Sequence, residues 1–421
     1  MLTHRPLASV RSRAWLAVRR LSLAFALVMA ASCQVVELVA PPPTPTPTAT
    51  ATPTATVTPS ATATATPTAT PTATLTPSIT PTSTATPTVT PMPQSVLLSP
   101  MSHEYQDWNN CGAVSAAMVL SYYGIRRSQY DVAAILRPHK DDKHVGVDEL
   151  IAYLRAEGLE ARVLVNGNAE QLRSLIAAGI PVMISTWLEP GKDIGHYRVV
   201  RGYDRRAGTL VLNDSYYGPQ ITMSTSDLEK VWAPFNHRYI PVYRPAQAAE
   251  VCRILGQDCD VQAMNRRAAE AAREWTRSAP RDPYAWLNLG DDLLALGDPT
   301  AALEAYAKAT AIGLPPRLYW YRFGPFEALV AAKQYDELLK ASEPILAQLP
   351  AIEELHLLRG QAYEGLGQND KAIEAYRLAL QYHANYAPAL AALQRLAAVA
   401  PATPAGTATT PEAPKVPTKS G

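Results

Sequence analysis

The stretch His103-Glu104-Tyr105-Gln106-Asp107-Trp108-Asn109-Asn110-Cys111-Gly112-Ala113-Val114-Ser115-Ala116-Ala117-Met118 decides how the middle of this chain is read. Trp108-Asn109-Asn110 is polar and turn-like. From residue 111 to 123, Val114, Ala117, Met118 and Tyr122 recur at helical spacing, and Gly124 follows as a stop. A cysteine at the start of a helix meets unpaired N–H groups and the positive end of the dipole, both of which favour a thiolate. Gly112 is read as room for the close approach of a substrate backbone. The side-chain amide of Gln106 and the backbone N–H of Cys111 together suit a developing oxyanion.

Downstream, helices are expected over residues 128–136, 147–157 and 169–178, with a strand over 160–165 that places Ala161, Val163 and Val165 on one face. Further strands are expected at 182–186, 196–203, 210–213 and 239–243, which makes an α+β layout of helices followed by an antiparallel sheet. A thiolate needs a basic partner, itself oriented by Asp or Asn. His196 opens a strand directly after a loop. Asp204-Arg205-Arg206-Ala207-Gly208 is a turn signal, and if Tyr203 faces Thr209, then Arg198 faces Asp214. His196 and Asp214 then share one sheet edge, which gives a Cys–His–Asp line from pattern alone.

These blocks, with Gly195-His196-Tyr197, Gly202-Tyr203-Asp204, Asn213-Asp214 and Tyr217-Gly218, resemble the bacteriocin-leader-processing peptidase family and its secreted relatives over residues 94–245. The resemblance implies a papain-like fold. It also implies a triad of Cys111, His196 and Asp214, with Gln106 completing the oxyanion hole. Ala113 stands where many relatives have Pro. The transporter-fused relatives cut after double-glycine leaders, but no membrane-spanning or nucleotide-binding part is read in this chain, so their substrate is not carried over. No cofactor is implied.

The remainder reads as a multidomain protein. Residues 1–33 form a signal peptide: Arg5, Arg11, Arg13, Arg19 and Arg20 precede an apolar run over 21–31, which ends in Ala30-Ala31-Ser32-Cys33. Small residues before Cys33 resemble a bacterial lipoprotein cleavage box, so Cys33 is the expected lipid attachment site and membrane anchor; plain cleavage and secretion, or a retained signal anchor, are the alternatives. Residues 34–93 are a Pro/Thr/Ala-rich stalk, unable to bury a core and expected to be disordered. At ~3.1 Å per residue such a stalk reaches on the order of 150 Å.

After a linker at 246–262, residues 263–400 change to helical pairs. Trp286, Leu289, Gly290, Gly297, Ala302, Tyr306 and Ala309 have the spacing of a tetratricopeptide repeat, and Gly360, Tyr363, Gly367, Ala372, Tyr376 and Ala379 restate it. The repeat between them is degenerate, with two extra residues. An all-α solenoid is expected, and by fold-level analogy it offers a surface for a peptide or protein partner. Residues 401–421 form a disordered tail.

Three further features complete the reading. The net charge of +1 gives no reason to expect a nucleic-acid partner. In an exported chain, Cys252 and Cys259 are read as a small disulfide, and a zinc pair lacks further ligands. His139-Lys140-Asp141-Asp142-Lys143-His144 is read as a solvated loop between helices rather than a metal site, and His103 as a neighbour of the active-site turn. The expected function is therefore an extracytoplasmic thiol hydrolase acting on a peptide or related amide bond. A non-catalytic surface scaffold, or an acyl transferase using the same triad, are the alternatives.

Overall fold

The computed structural model describes residues 91–142 and 144–399. The leader with Cys33, most of the stalk and the tail from residue 401 lie outside the described residues.

The first half is an antiparallel sheet with helices on both faces. Its strands are β1 (Ser95–Leu97), β2 (Glu160–Ala161), β3 (Val182–Trp187), β4 (Gly195–Asp204), β5 (Thr209–Asp214), β6 (Gly218–Ser224) and β7 (Tyr239–Tyr243), in the order β2-β7-β3-β4-β5-β6, with β1 pairing β4. All six residues of β3 are buried, as a central strand covered on both faces requires. Helices α1 (Cys111–Tyr122), α2 (Gln129–Leu136) and α3 (Val147–Ala156) cover one face, where Met118, Leu120 and Leu154 meet Met183, Val199 and Ile240. Helices α4 (Ala169–Ala177) and α5 (Thr225–Trp232) cover the other, where Leu172, Leu175 and Trp232 meet Val182, Ile184 and Leu212. Every residue of α1 from Gly112 to Leu120 is buried, so this is a core helix rather than an amphipathic one.

Several expectations change in detail. The strand expected over 160–165 shrinks to two residues; Leu164 rather than Val163 is buried, and it rejoins the sheet only through an isolated bridge to Tyr239. Strands β1 and β6 and helix α5 were not anticipated. The segment 246–262, read as a linker, is folded: α6 (Ala248–Leu255) buries Val251 and Leu255 in the same core as the sheet. Cys252 and Cys259 are joined as a disulfide with Cα atoms 5.0 Å apart.

The second half continues through α7 (Val261–Ser278), α8 (Pro283–Ala295), α9 (Pro299–Ile312), α10 (Gly324–Ala331), α11 (Tyr335–Gln348), α12 (Glu353–Gly365), α13 (Asn369–Tyr382) and α14 (Ala387–Val399). Pairs α8–α9 and α12–α13 explain the repeated glycine and tyrosine. A Cβ at Gly290 would overlap the Tyr306 ring, and one at Gly360 would overlap Tyr376, so each glycine seats the tyrosine of the following helix. In the degenerate repeat, α10 begins only at Gly324, and a short 3-10 turn, Pro316–Trp320, replaces the first part of that helix.

The repeats dock on the sheet half at both ends. Asn288 Nδ2 donates to the Ala233 carbonyl at 2.8 Å, and Asn236 Nδ2 to Asp292 Oδ1 at 2.6 Å. Farther along, His144 Nε2 lies 3.0 Å from Glu354 Oε1, and His383 Nε2 lies 3.2 Å from the Ile135 carbonyl. The inner side of the solenoid thus faces its own sheet domain.

Candidate active site

Cys111 is the first residue of α1 and a partly buried free thiol. The turn before it needs Asn109 at φ 61°, a conformation asparagine tolerates. Asn110 occupies the N-cap position but makes no side-chain capping bond. Its amide instead donates to Gln129 Oε1 at 3.0 Å and accepts from Arg137 Nη1 at 2.5 Å. The electropositive helix end is therefore left for the thiolate and whatever reaches it. Gln129 also accepts from the Asp107 N–H and donates to Glu104 and the Tyr105 carbonyl, which holds the whole turn. Gly112 has another purpose than the one expected: a Cβ there would collide with Val145, so the close approach belongs to the protein's own core.

His196 and Asp214 meet as the strand pairing requires, by a route the sequence did not show. Next to the turn the register is Asp204↔Thr209 and Tyr203↔Leu210, one residue off the expected pairing. A bulge between Val200 and Gly202 absorbs the difference, and Val199 then faces Asn213. The bulged residue, Arg201, turns inward and donates to the Leu98 and Met101 carbonyls and to Asn213 Oδ1. The end of β5 is stitched to the segment leading to Cys111. Asn213 Nδ2 donates to the Ser102 carbonyl at 3.1 Å, His103 Nε2 lies 2.9 Å from the Asp214 carbonyl, and Ser215 Oγ donates to Gln106 Oε1 at 2.7 Å. Gln106 is thereby anchored through its oxygen, which directs its NH₂ group away from Ser215.

His196 Nε2 lies 3.0 Å from Asp214 Oδ1, with both groups buried. His196 also acts on the Cys111 thiol electrostatically, and Nδ1 is the ring nitrogen that Asp214 leaves free. Asp214 Oδ1 further accepts the N–H groups of Tyr216 and Tyr217 at 2.8 and 3.0 Å, and Oδ2 accepts Arg198 Nε at 2.7 Å. Asp214 therefore caps its turn and holds its histidine at once. Burial would push its carboxyl up, but His196 and Arg198 hold it far below the usual range. Burial pulls His196 down; its bonds to Asp214 and Cys111 outweigh this and raise it. Burial would raise the Cys111 thiol as well, but the His196 bond and charge, with the Tyr197 and Gly112 backbone, bring it below its ordinary value. The opposed shifts favour a thiolate–imidazolium pair.

Cys111 and His196 open into a cavity of about 930 Å³ whose far wall comes from the repeats, including Tyr321, Arg322, Phe323 and Glu354. Tyr321, just after the 3-10 turn of the degenerate repeat, packs on Gly195 beside His196. The supposed solvated loop is part of this structure too. Asp142 is fully buried and His144 lines the cavity, because the repeat helices close over them. Sequence reasoning missed Arg198, Arg201, Gln129 and Tyr321. Arg198 alone had a signal: the expected register already placed it opposite Asp214.

Residues 88–240 match the model of the Peptidase_C39 like family, and residues 353–386 that of the tetratricopeptide repeat. No curated protein matches. Among solved structures, the chain is similar to a C39-like peptidase from Bacillus anthracis, at 18% identity over 36% of this chain and 98% of that one, with a TM-score of 0.31. It is also similar to the peptidase domain of Streptococcus ComA, a bifunctional ABC transporter, at 18% identity over 34% of this chain and 98% of that one, with a TM-score of 0.30. A double-glycine-motif protease from an AMS/PCAT transporter, solved with its leader peptide, is similar at 18% identity over 35% of this chain and 94% of that one, with a TM-score of 0.28. The chain carries a C39-like peptidase domain followed by tetratricopeptide-repeat helices.

Proposed function

We propose that this protein is a thiol peptidase whose substrate reaches Cys111 through the cavity between the sheet domain and the repeats. The observation that carries this reading is the free thiol of Cys111 at the N-terminus of α1, opening into the same cavity as His196, whose ring is held 3.0 Å from the buried Asp214 carboxylate. Cys111 attacks the scissile carbonyl as thiolate. His196 gives its proton to the leaving amine and then takes one from the water that hydrolyses the thioester, while Asp214 fixes the ring. The oxyanion would be met by the uncapped N-terminus of α1 and the free amide end of Gln106. Tyr321 and Phe323 narrow the approach, so the repeats act in substrate selection as well as in partner binding. The basic, apolar, Ala-Ala-Ser-Cys leader supports export and lipid attachment at Cys33, with the stalk as a spacer from the membrane.

A mixed peptide library incubated with the full chain, its new termini read by mass spectrometry, tests the activity. Cleavages made by the wild type and lost in Cys111→Ala are expected. Products that persist in Cys111→Ala, or none in either protein, would contradict it. Conjugates formed with an added amine would move the assignment from hydrolysis to acyl transfer.

A further inference from the structure

A second buried polar cluster lies where the repeats close on the peptidase domain. Glu149 comes from α3, Glu353 opens α12, and His383 follows the last residue of α13. Glu353 and His383 are almost fully buried, at 1% and 3% exposed. One ligand-capable atom from each of the three residues lies within 4.8 Å of the others. His383 Nδ1 stands 2.9 Å from Glu149 Oε1 and 3.4 Å from Glu353 Oε1, yet it is aligned for a hydrogen bond with neither.

Nε2 lies 3.2 Å from the Ile135 carbonyl, which can only accept, so Nε2 carries a proton. Burial pulls His383 down, but Glu149 and Glu353 raise it to about 10, so without a metal Nδ1 is protonated too; a cation would displace that proton and bind the lone pair between the two carboxylates. A histidine whose remote N–H is fixed by a backbone carbonyl is the usual outer arrangement of a metal-bound imidazole. Tetrahedral zinc with bonds of about 2.0–2.2 Å separates its ligand atoms by roughly 3.3–3.6 Å; the 3.4 Å between His383 and Glu353 matches this, and the 2.9 Å to Glu149 would have to open slightly.

The charge balance points the same way. Asp142 and Glu354 add two carboxylates to the cluster, against one further imidazole, His144. Asp142 Oδ2 and the Oε2 atoms of Glu149, Glu353 and Glu354 are all buried without a hydrogen-bond partner. Arg137 reaches only the carbonyl of Asp142. A divalent cation would give these orphaned oxygens the partner that burial otherwise denies them. Glu149 and His383 also line the cavity, so a fourth position is open to water.

We propose that Glu149, Glu353 and His383 bind a divalent cation of the zinc class, which clasps the repeats to the peptidase domain. The cation has no part in the thiol chemistry. The probe is zinc alone, with the full chain carrying Cys33→Ser and Cys111→Ser so that no free thiol competes. Equilibrium dialysis followed by metal analysis should find one zinc per chain, and cobalt in its place should show the intense visible bands of a four-coordinate ion. Glu353→Gln, His383→Gln and Glu149→Gln should each weaken binding by at least ~10-fold. Glu149→Gln is nearly isosteric and the least buried of the three, so it reports even where another variant fails to fold. No zinc retained at tens of micromolar, or unchanged affinity in Glu149→Gln, would overturn the proposal. So would cobalt spectra without four-coordinate bands.

Discussion

Two of the buried carboxylate sites among the described residues differ in their neighbours. Asp214 receives four donors: His196, Arg198 and the N–H groups of Tyr216 and Tyr217. Around Glu149, Glu353 and Glu354, by contrast, buried carboxylate oxygens stand without a hydrogen-bond partner. The first site is complete within one domain and holds its charges ready for chemistry. The second is assembled from two domains and is short of hydrogen-bond donors. Completeness of the donor set thus separates a site built to react from one built to receive a ligand.

The comparison is broken most forcefully at the complete site. His196→Ala should lower the peptide cleavage rate at least about a thousandfold, because the thiol loses both its base and its counter-charge. Retained cleavage would show that the line is ornamental. Next, Arg198→Met should destabilise the fold by about 3–5 kcal/mol in denaturant unfolding, since it strands the buried Asp214 carboxylate. Arg198 also donates to the Trp187 and Leu188 carbonyls, at 2.9 and 2.6 Å, which would lose their partners too. A loss under about 1 kcal/mol would mean that the remaining three donors suffice.

At the incomplete site the effect has the opposite sense. Zinc at a hundred times its dissociation constant should stabilise the chain with Cys33→Ser and Cys111→Ser by about 2.7 kcal/mol and leave its Glu353→Gln derivative unchanged, as read by thermal unfolding. A smaller effect is expected at Asp292, a third buried carboxylate, which has one donor, Asn236, and one unpartnered oxygen. Burial pushes it up to about 8, against the Asn236 bond. Its raised value means that the fold favours the neutral acid. The stability is therefore whole below about pH 4 and erodes as the pH rises toward 8. Asp292→Asn keeps a carbonyl for Asn236 and should gain about 1–2 kcal/mol above pH 8, with little change at pH 4. Equal stability at both pH values would place the charge elsewhere.

Much of the peptidase-like half was legible because its signals are local. The helix from Cys111, the strands from Val182 and His196, and the glycine–tyrosine spacing of the repeats all follow from periodicity. Strand β6 was hidden by Gly218-Pro219, which an edge strand tolerates and a central one does not. The pairing of His196 with Asp214 was reached although the turn register was one residue off, because the bulge at Arg201 restores it; Gly202, an isolated glycine inside the strand, was its one local sign. The loop around 139–144 is solvated at Lys140 and Asp141 as expected, but not at Asp142 and His144. Their burial follows from the docking of Glu354, more than two hundred residues away, and no local pattern reports that contact. Tyr321 was hidden in the same way, since its place beside His196 depends on how the repeats dock.

The central claim is that Cys111 is a thiolate held by His196. Iodoacetamide labelling of Cys111 against pH, in the full chain with Cys33→Ser, tests it most directly, with His196→Ala beside it. Rapid labelling well below the ordinary thiol value of about 8.5, lost in the His196 variant, is the predicted result. Slow labelling with an ordinary thiol profile, unchanged by His196→Ala, would contradict it.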